Sequence, residues 1–201
     1  QGVAKWVRRV TDPARIDDYV DMAFTAAATG RAGPAVLLVP LDVLDEHPGF
    51  DPAAPHRNAT LGTFPLDRVS ADPARIADAA DLLAASTRPI VIAGGGIHSS
   101  QAWRELAALQ DLGLPVATTV MGKGATDETH PLSVGIAGYF MAPGARASHL
   151  RDLVTDADVV FLIGNRTNQN GTDSWSLYPK DARYIHLDID GNEIGRNFEA
   201  L

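Results

Sequence analysis

The second half of the chain repeats one pattern of apolar and polar positions. Apolar runs cover residues 90–93, 116–119, 159–163 and 184–187, and glycine-bearing turns follow at 94–96, 121–124, 164–166 and 188–191. Helical spacing of apolar residues covers about 99–111 and about 145–155. Strands that alternate with helices imply right-handed crossovers and a parallel sheet covered on both faces. The pattern therefore predicts an α/β fold with a doubly wound parallel sheet.

The first 44 residues predict a smaller unit of the same kind. Residues 5–10 and 35–39 read as strands, and the apolar positions between them recur at the three-and-four spacing of a helix. The pair Asp12-Pro13 is typical of a helix start, and Gly30 is typical of a helix end. A βαβ segment of this size cannot bury both faces of its sheet. We therefore expect residues 1–44 to be an appendage that belongs to something larger.

Residues 45–69 follow neither period. They contain four prolines and two glycines, which is typical of an interdomain linker. A second helix start, Asp72-Pro73-Ala74-Arg75-Ile76, repeats residues 12–16 letter for letter, and the divergence beyond it favours convergence over duplication. The sequence therefore predicts an appendage at 1–44, a linker at 45–69 and a main domain at 70–201.

Composition narrows the classes of function. The chain of 201 residues is 45% hydrophobic, and its formal net charge of −8 argues against nucleic-acid binding, which needs a positive surface. It has no cysteine, and its six histidines show no paired ligand spacing, so we expect no metal site. No apolar stretch approaches the roughly 20 residues of a membrane span, and no signal-peptide pattern is present. We expect a cytoplasmic protein without membrane contact.

The four turns predict a binding crevice, because ligands of an open parallel sheet bind outside the carboxyl ends of its strands. Gly94, Gly95 and Gly96 would let a pyrophosphate approach the backbone at the start of a helix. The structural alternative is a tight strand-to-helix turn without a ligand, since Ser99 stands where the third glycine of the dinucleotide fingerprint belongs. A nucleotide site is thus one of two interpretations of the triplet.

Three charged side chains complete the candidate site. Lys123, between two glycines, is suited to meet a phosphate as a point charge. Arg166 is suited to a phosphate fork or to stacking on an adenine ring. Asp188 is suited to accept from ribose hydroxyls or an adenine amine. The structural alternatives are a solvated lysine, an ion-paired arginine, and a helix cap at Asp190 ahead of Glu193.

Two further groups have a structural interpretation. His186 and Asp188 share one face of a strand, as a base and its orienting carboxylate would, but no nucleophile elbow accompanies them. Tyr139, Phe140 and Met141 could form a lid over a base, with core packing as the default. We predict no catalytic residue in this chain.

The same residues resemble the central domain of thiamine-diphosphate-dependent enzymes of the acetolactate synthase group. The matching segments are Arg88-Pro89 with the triplet at 94–96, residues 114–124, His130-Pro131-Leu132, residues 163–166, residues 185–190 and residues 193–197. Residues 22–43 look like the closing helix and strand of that family's pyrimidine-binding domain. The resemblance implies that residues 70–201 are a Rossmann-like central domain and that residues 1–44 end the preceding domain.

The resemblance also implies what a complete enzyme would carry. In the family, a glutamate of the pyrimidine-binding domain activates the cofactor, and a Gly-Asp-Gly segment of a third domain holds magnesium and the diphosphate. Residues 1–44 contain no glutamate, and Gly-Asp-Gly occurs nowhere in the chain. We expect an inactive segment whose thiamine diphosphate and magnesium belong to a homodimeric or homotetrameric parent. Its catalytic parts, and so its partners, would lie before Gln1 and after Leu201.

Within the family, the central domain holds FAD in acetolactate synthases, ADP in some acyl-CoA decarboxylases and lyases, and no nucleotide in others. By resemblance, Gly94, Gly95, Arg166 and Asp188 are the candidates to hold such a nucleotide. The chain departs from the flavin-contacting loops at 138–140, where Gly-Met-His-Gly is usual, and at 167–170, where an Asp-Asp-Arg-type run is usual. These departures favour ADP over FAD.

Three alternatives to an acetolactate synthase-like central domain stay open at this point. One is a stand-alone nucleotide-binding module of the NAD-dependent deacylase kind, although the missing cysteines remove that class's zinc site. Another is an ADP-binding member related to 2-hydroxyacyl-CoA lyase or oxalyl-CoA decarboxylase. The last is a purely structural domain whose crevice is empty.

Overall fold

The computed structural model describes residues 2–45, 61 and 63–201. The chain forms two compact units, Gln1–Val69 and Ser70–Leu201, and each has its own sheet. Most of the segment at 45–69 lies outside the described residues, so its role as a linker stays a prediction. None of the helices in the described ranges combines the length and the apolar character that a membrane crossing requires.

The first unit contains the βαβ segment that its pattern predicts. Strand β1 (Trp6–Arg9) pairs in parallel with strand β2 (Ala35–Leu38). A 3-10 turn (Pro13–Arg15) leads into helix α1 (Ile16–Ala28) between them. Oδ1 of Asp12 accepts a hydrogen bond from the amide of Ala14 at 3.0 Å, which satisfies one free donor at the start of the turn.

A short helix that the pattern did not predict follows this segment. Helix α2 (Leu41–Asp45) begins three residues after β2 and includes the first residue of the predicted linker. Its buried residue is Val43. Five residues are too few for a period to be recognised in the sequence, so tertiary contacts decide this element.

Five parallel strands form the sheet of the second unit, in the order β5-β4-β3-β6-β7. They are β3 (Pro89–Ala93), β4 (Val116–Thr118), β5 (Ser133–Ile136), β6 (Val159–Ile163) and β7 (Arg183–Leu187). The chain builds outward from β3 to β5 and then returns to place β6 on the other side of β3. This reversal is the doubly wound arrangement, and its switch point lies between β3 and β6.

The sheet is buried on both faces because alternate side chains of each strand enter different clusters. On one face, Ile92 and Leu162 pack with Val154 of helix α6 (Asp152–Thr155) and with the loop residues Met141 and Leu177. On the other face, helices cover the strands.

Two helices account for most of that cover. Leu82 of helix α3 (Pro73–Ala84) packs on β6 and β7, and Leu106 of helix α5 (Trp103–Asp111) packs on β3 and β4. Helix α3 begins as predicted, because Asp72 accepts from the amide of Ala74 at 2.8 Å.

Three predicted boundaries are wrong. The helix expected at about 99–111 is two helices, α4 (Gly96–Ser100) and α5, because Gln101 adopts a left-handed φ of 56°. The helix expected at about 145–155 is helical only over α6, after a 3-10 turn at Ser148–Leu150. Strand β5 is not among the strands that the sequence predicts, because Gly135, at φ 85°, and a register shift against β4 interrupt its period.

Candidate functional site

The four glycine-bearing turns meet at the carboxyl edge of the sheet, as predicted. The amide of Gly94 donates to the carbonyl of Ile163, and the amide of Gly164 donates to the carbonyl of Leu187, both at 2.8 Å. The amide of Thr119 donates to the carbonyl of Ala93 at 2.9 Å. These bonds continue the sheet ladder past the strand ends and hold the turns side by side.

Gly94 and Gly96 pack directly against the backbone of Gly164. A Cβ on Gly94 would overlap the carbonyl oxygen of Gly164, and a Cβ on Gly96 would lie 2.6 Å from its Cα. A Cβ on Gly122 would overlap the carbonyl oxygen of Ala93 in the same way. The glycines are therefore required by the contact of three turns with one another, and this differs from the pyrophosphate contact that the sequence suggested.

Helix α4 begins at Gly96 and not near Ser99, so the triplet lies at the start of the helix. The amide of Gly96 donates to the carbonyl of Gly164 at 3.2 Å, and the amide of Ile97 donates back to Gly94 at 3.3 Å. These two donors are committed to the fold. Gly94, Gly95 and Gly96 thus form a tight strand-to-helix turn, as the structural alternative states. This conformation is present with or without a ligand nearby.

Lys123 forms an ion pair beside this turn. Its Nζ lies 2.6 Å from Oε1 of Glu128, and its carbonyl lies 3.1 Å from Nε2 of His98. Both side chains of the ion pair are about half exposed, and the lysine lowers the pKa of Glu128 through its hydrogen bond. Nζ contacts both carboxylate oxygens of Glu128, so a phosphate at Lys123 would share the ammonium with this carboxylate or displace it.

Arg166 has the opposite environment. Its side chain is exposed and makes no hydrogen bond or ion pair with any residue that the structure describes. Its neighbours Asn165 and Thr167 are 4% and 1% exposed. The amide of Thr167 donates to Oδ1 of Asn165 at 2.9 Å, and Asn197 donates to the Thr167 hydroxyl at 2.7 Å. A rigid backbone thus presents a cation that has no protein partner in the described ranges.

His186 is a structural residue. Its Nε2 donates to the carbonyl of Asn165 at 2.9 Å, and its Nδ1 accepts from the amide of Gly195 at 3.3 Å, which assigns the neutral tautomer. Burial lowers the pKa of His186 against the opposing effects of the bond to Asn165 and of the Asp188 and Glu193 carboxylates. Both ring nitrogens are occupied, so His186 is unsuited to act as a base.

Asp188 turns the chain at the end of β7. It is partly buried, and its Oδ1 accepts from the amide of Asp190 at 2.9 Å. Oδ1 of Asp190 in turn accepts from the amide of Asn192 at 3.0 Å. Residues 191–195 form turns and not the helix that the structural alternative places after Asp190. Asp188 lies at the same sheet edge as Arg166, with one carboxylate oxygen engaged in the turn.

The aromatic segment after β5 divides between core and surface. Met141 is fully buried, whereas the exposed fractions of Tyr139 and Phe140 are 41% and 51%. The hydroxyl oxygens of Tyr139 and Ser174 are 3.0 Å apart, which joins this segment to the loop after β6. Core packing, the default expectation, holds for Met141 alone.

The loop after β6 contains residues that sequence reasoning missed. The indole Nε1 of Trp175 donates to the carbonyl of Thr167 at 3.0 Å, and the Asn197 side chain donates to the same oxygen at 3.0 Å. Only the departure from the family pattern at 167–170 could have drawn attention to this loop. In the part of the chain that the structure describes, no group of three or more His, Cys, Asp or Glu side chains could hold a metal ion.

The family model of the thiamine pyrophosphate enzyme central domain matches residues 76–201. The fold and this match define a Rossmann-like α/β domain of the kind found as the central domain of thiamine pyrophosphate enzymes. The chain therefore belongs to the thiamine pyrophosphate enzyme family and contains its central domain.

Curated relatives extend the similarity to the first unit. An acetolactate synthase large subunit of Methanocaldococcus jannaschii is 36% identical over 193 residues, 96% of this chain and 32% of that protein. The acetolactate synthase large subunit of Parasynechococcus marenigrum is 37% identical over 97% of this chain and 30% of its own length. Glyoxylate carboligase of Escherichia coli O157:H7 is 30% identical over 96% of this chain and 31% of its own length. The chain spans about a third of the length of these relatives.

A solved structure shares the fold. A protein from Mycobacterium smegmatis, described as a thiamin diphosphate-dependent enzyme, superposes with a TM-score of 0.75 over 98% of this chain and 36% of its own. Its sequence is 20% identical, so the likeness concerns the fold alone.

Proposed function

We propose that this chain is the central segment of a thiamine-diphosphate-dependent carboligase or decarboxylase of the acetolactate synthase kind. The observation that carries the proposal is the similarity to acetolactate synthases over 96% of the chain, which includes the first unit and not only the central domain. Residues 1–44 would then end the pyrimidine-binding domain, 45–69 would link the domains, and 70–201 would be the central domain. The family membership leaves the deacylase-like alternative without support.

The role of this segment is to support a cofactor site that other domains complete. The residues present do not fit thiamine diphosphate and magnesium, because residues 1–44 contain no glutamate, the chain contains no Gly-Asp-Gly, and the described residues contain no metal-binding group. The partners would be the remaining domains of a cytoplasmic homodimer or homotetramer. The chain by itself would catalyse no reaction.

Isothermal titration of the 201-residue chain with thiamine diphosphate and magnesium tests this role. We expect no saturable heat, and no carboligation of pyruvate, since the activating acid and the diphosphate-binding segment are both missing from this sequence. A saturable heat would overturn the view that the segment only supports the cofactor site.

We further propose that Gly94, Gly95, Gly96, Lys123, Arg166 and Asp188 form a nucleotide site that takes ADP in preference to FAD. The exposed guanidinium of Arg166 supports this proposal, because two buried neighbours hold its backbone and no described residue pairs with it. An exposed guanidinium without a partner can donate two parallel hydrogen bonds to the oxygens of a phosphate. The departures from the family's flavin loops at 138–140 and 167–170 favour ADP, as in an oxalyl-CoA decarboxylase-like or 2-hydroxyacyl-CoA lyase-like member.

Titration of the chain with ADP and with FAD tests this site. We expect Arg166→Ala to weaken ADP binding by on the order of 1 to 3 kcal/mol, because a charged hydrogen bond to phosphate is lost. Arg104→Ala is the matched control, since Arg104 lies exposed on α5 and its removal changes the net charge equally. If ADP fails to bind at about millimolar concentration, the crevice is structural and holds no nucleotide. If FAD binds more tightly than ADP, the proposed preference for ADP is wrong.

A further inference from the structure

The loop that follows β6 holds four non-glycine residues in the left-handed region of backbone conformation. Thr167 has a φ of 48°, and the consecutive residues Asp173, Ser174 and Trp175 have φ values of 50°, 53° and 60°. A single non-glycine residue in this region costs about 1 kcal/mol or more, and such residues persist where their surroundings over-determine them. Three in succession indicate a loop whose shape is specified.

Side chains from three segments specify that shape. Nη1 of Arg151 lies 2.8 Å from Oδ2 of Asp173, and this ion pair is mostly buried. Ser174 contacts the Tyr139 hydroxyl, and the amide of Trp175 donates to the hydroxyl of buried Thr172 at 3.0 Å. Each of the three consecutive residues is therefore held by a separate contact.

Trp175 is anchored and yet exposed. Its indole N–H donates to the carbonyl of Thr167, the residue after Arg166, while 46% of the residue stays accessible. A tryptophan that packs in the core is buried, and Trp175 is not. A strained backbone and a bonded indole N–H hold it in one exposed position, which is typical of a residue that contacts a ligand. The arrangement holds a partly exposed indole on the same loop as the unpaired guanidinium, bonded to the residue that follows Arg166.

We propose that Trp175 binds the base of the nucleotide whose phosphates contact Arg166, by stacking its indole on the planar heteroaromatic ring. This inference rests on the proposed nucleotide crevice and adds the residue that recognises the base. An indole and a guanidinium held on one rigid loop match the two chemically different ends of an adenine nucleotide. Trp175 combines a left-handed backbone with an indole N–H that is bonded to the carbonyl of Thr167.

The experiment compares ADP with inorganic pyrophosphate, which has phosphates and no base. We expect Trp175→Ala to raise the Kd of ADP about tenfold or more, because one base–aromatic stack is lost. The inhibition constant of pyrophosphate, measured by its competition with ADP, should stay unchanged. Trp175→Phe keeps a flat ring and should lose less. Trp103→Ala is the matched control, because Trp103 is 44% exposed and its indole N–H is also bonded, to His98 at 3.0 Å.

Fluorescence gives a second readout that a merely structural role would not change. In a Trp6→Phe, Trp103→Phe chain, Trp175 is the remaining tryptophan, so ADP should quench its emission and pyrophosphate should not. If Trp175→Ala weakens ADP and pyrophosphate equally, or changes neither, the inference is wrong and the nucleotide site stands. If ADP does not bind the unmodified chain, or pyrophosphate cannot displace it, the proposed site fails and this inference fails with it.

Discussion

The contact between Gly94 and Gly164 ties two turns of the site together with no side chain at either position. The carbonyl of Gly164 occupies the space that a methyl group on Gly94 would need. Backbone atoms cannot move aside as a flexible side chain can. A larger residue at position 94 would therefore displace the backbone of the neighbouring turn and strain this edge of the sheet. The carboxyl edge is therefore sensitive to a change of one carbon atom.

Gly94→Ala should lower the free energy of unfolding by at least about 2 kcal/mol through this overlap. Denaturant unfolding followed by circular dichroism measures the change. Gly191→Ala is the control, because nothing lies within 4 Å of its added Cβ, and it should change stability by no more than about 0.5 kcal/mol. Equal effects of the two substitutions would contradict the packing argument.

His186 should make stability depend on pH below neutrality. Burial lowers its pKa in the folded chain below the ordinary 6.5. The neutral ring is therefore favoured by folding: its stabilising contribution is complete above pH 6.5 and is lost as the pH falls through the lower, folded pKa. Protonation of Nδ1 would also remove the acceptor of the Gly195 amide.

Replacement of His186 by glutamine should flatten this part of the stability profile, since glutamine does not titrate there. The measurement is the free energy of unfolding of both chains from about pH 7.5 to about pH 5, a range that spans the ordinary histidine pKa of about 6.5. The difference between native chain and variant should shrink as the pH falls. A constant difference over this range would show that the ring does not titrate with folding.

At the scale of elements, the central strands β3 and β6 are joined at their amino ends by one carboxylate. Asp158 accepts from the Thr87 amide at 2.7 Å, from the Thr87 hydroxyl at 2.6 Å and from the Arg88 amide at 2.9 Å. Chiefly through the Thr87 hydroxyl, these bonds lower the pKa of Asp158 from 3.8 to about 2. The carboxylate holds the start of both strands in register.

Asp158→Asn should destabilise the chain by about 1 to 2 kcal/mol at neutral pH, because charge-assisted bonds become neutral ones and some donors lose their partner. The folded pKa is depressed, so this difference should be full above pH 3.8 and fade as the pH falls towards 2. Asp111→Asn, an exposed aspartate at the end of α5, is the control for the change of charge. A difference that persists at pH 2 would assign the effect to shape and not to charge.

For the whole molecule, the division into two compact units at Val69 and Ser70 gives the predicted linker a direct test. The proline-bearing sequence at 45–69 leads us to expect the first proteolytic cuts there, for example by trypsin after Arg57 or Arg68. A fragment that begins near residue 70 should then resist digestion, and mass spectrometry identifies it. Early cuts within strands β3 to β7, with residues 45–69 protected, would contradict the predicted organisation.

Local patterns in the sequence were sufficient for the class of fold. The apolar runs of β3, β4, β6 and β7, and the Asp-Pro starts at 12–13 and 72–73, are signals that neighbouring residues carry, so the doubly wound α/β class followed from them. The family followed separately, from the resemblance of segments such as 94–96, 114–124 and 185–190. Strand β5 and the break at Gln101 did not follow. Strand β5 depends on its pairing with β4, which lies more than ten residues earlier in the chain. The break at Gln101 depends on a left-handed φ in a non-glycine residue, which no local pattern indicates.

The candidate site divides in the same way. The sequence by itself determined that Gly94, Lys123, Arg166 and Asp188 follow strand ends and so meet at one edge, because every strand of a parallel sheet ends on the same side. Only the tertiary structure decided their states: the glycines contact Gly164, Lys123 pairs with Glu128, and Arg166 stands unpaired on a backbone held by buried neighbours. The contact of Gly94 with Gly164 and the bonds of His186 to Asn165 and of Asn197 to Thr167 join residues far apart in the chain. The Lys123–Glu128 pair is closer in sequence but depends on the conformation of its loop, and no periodicity or motif encodes any of these contacts.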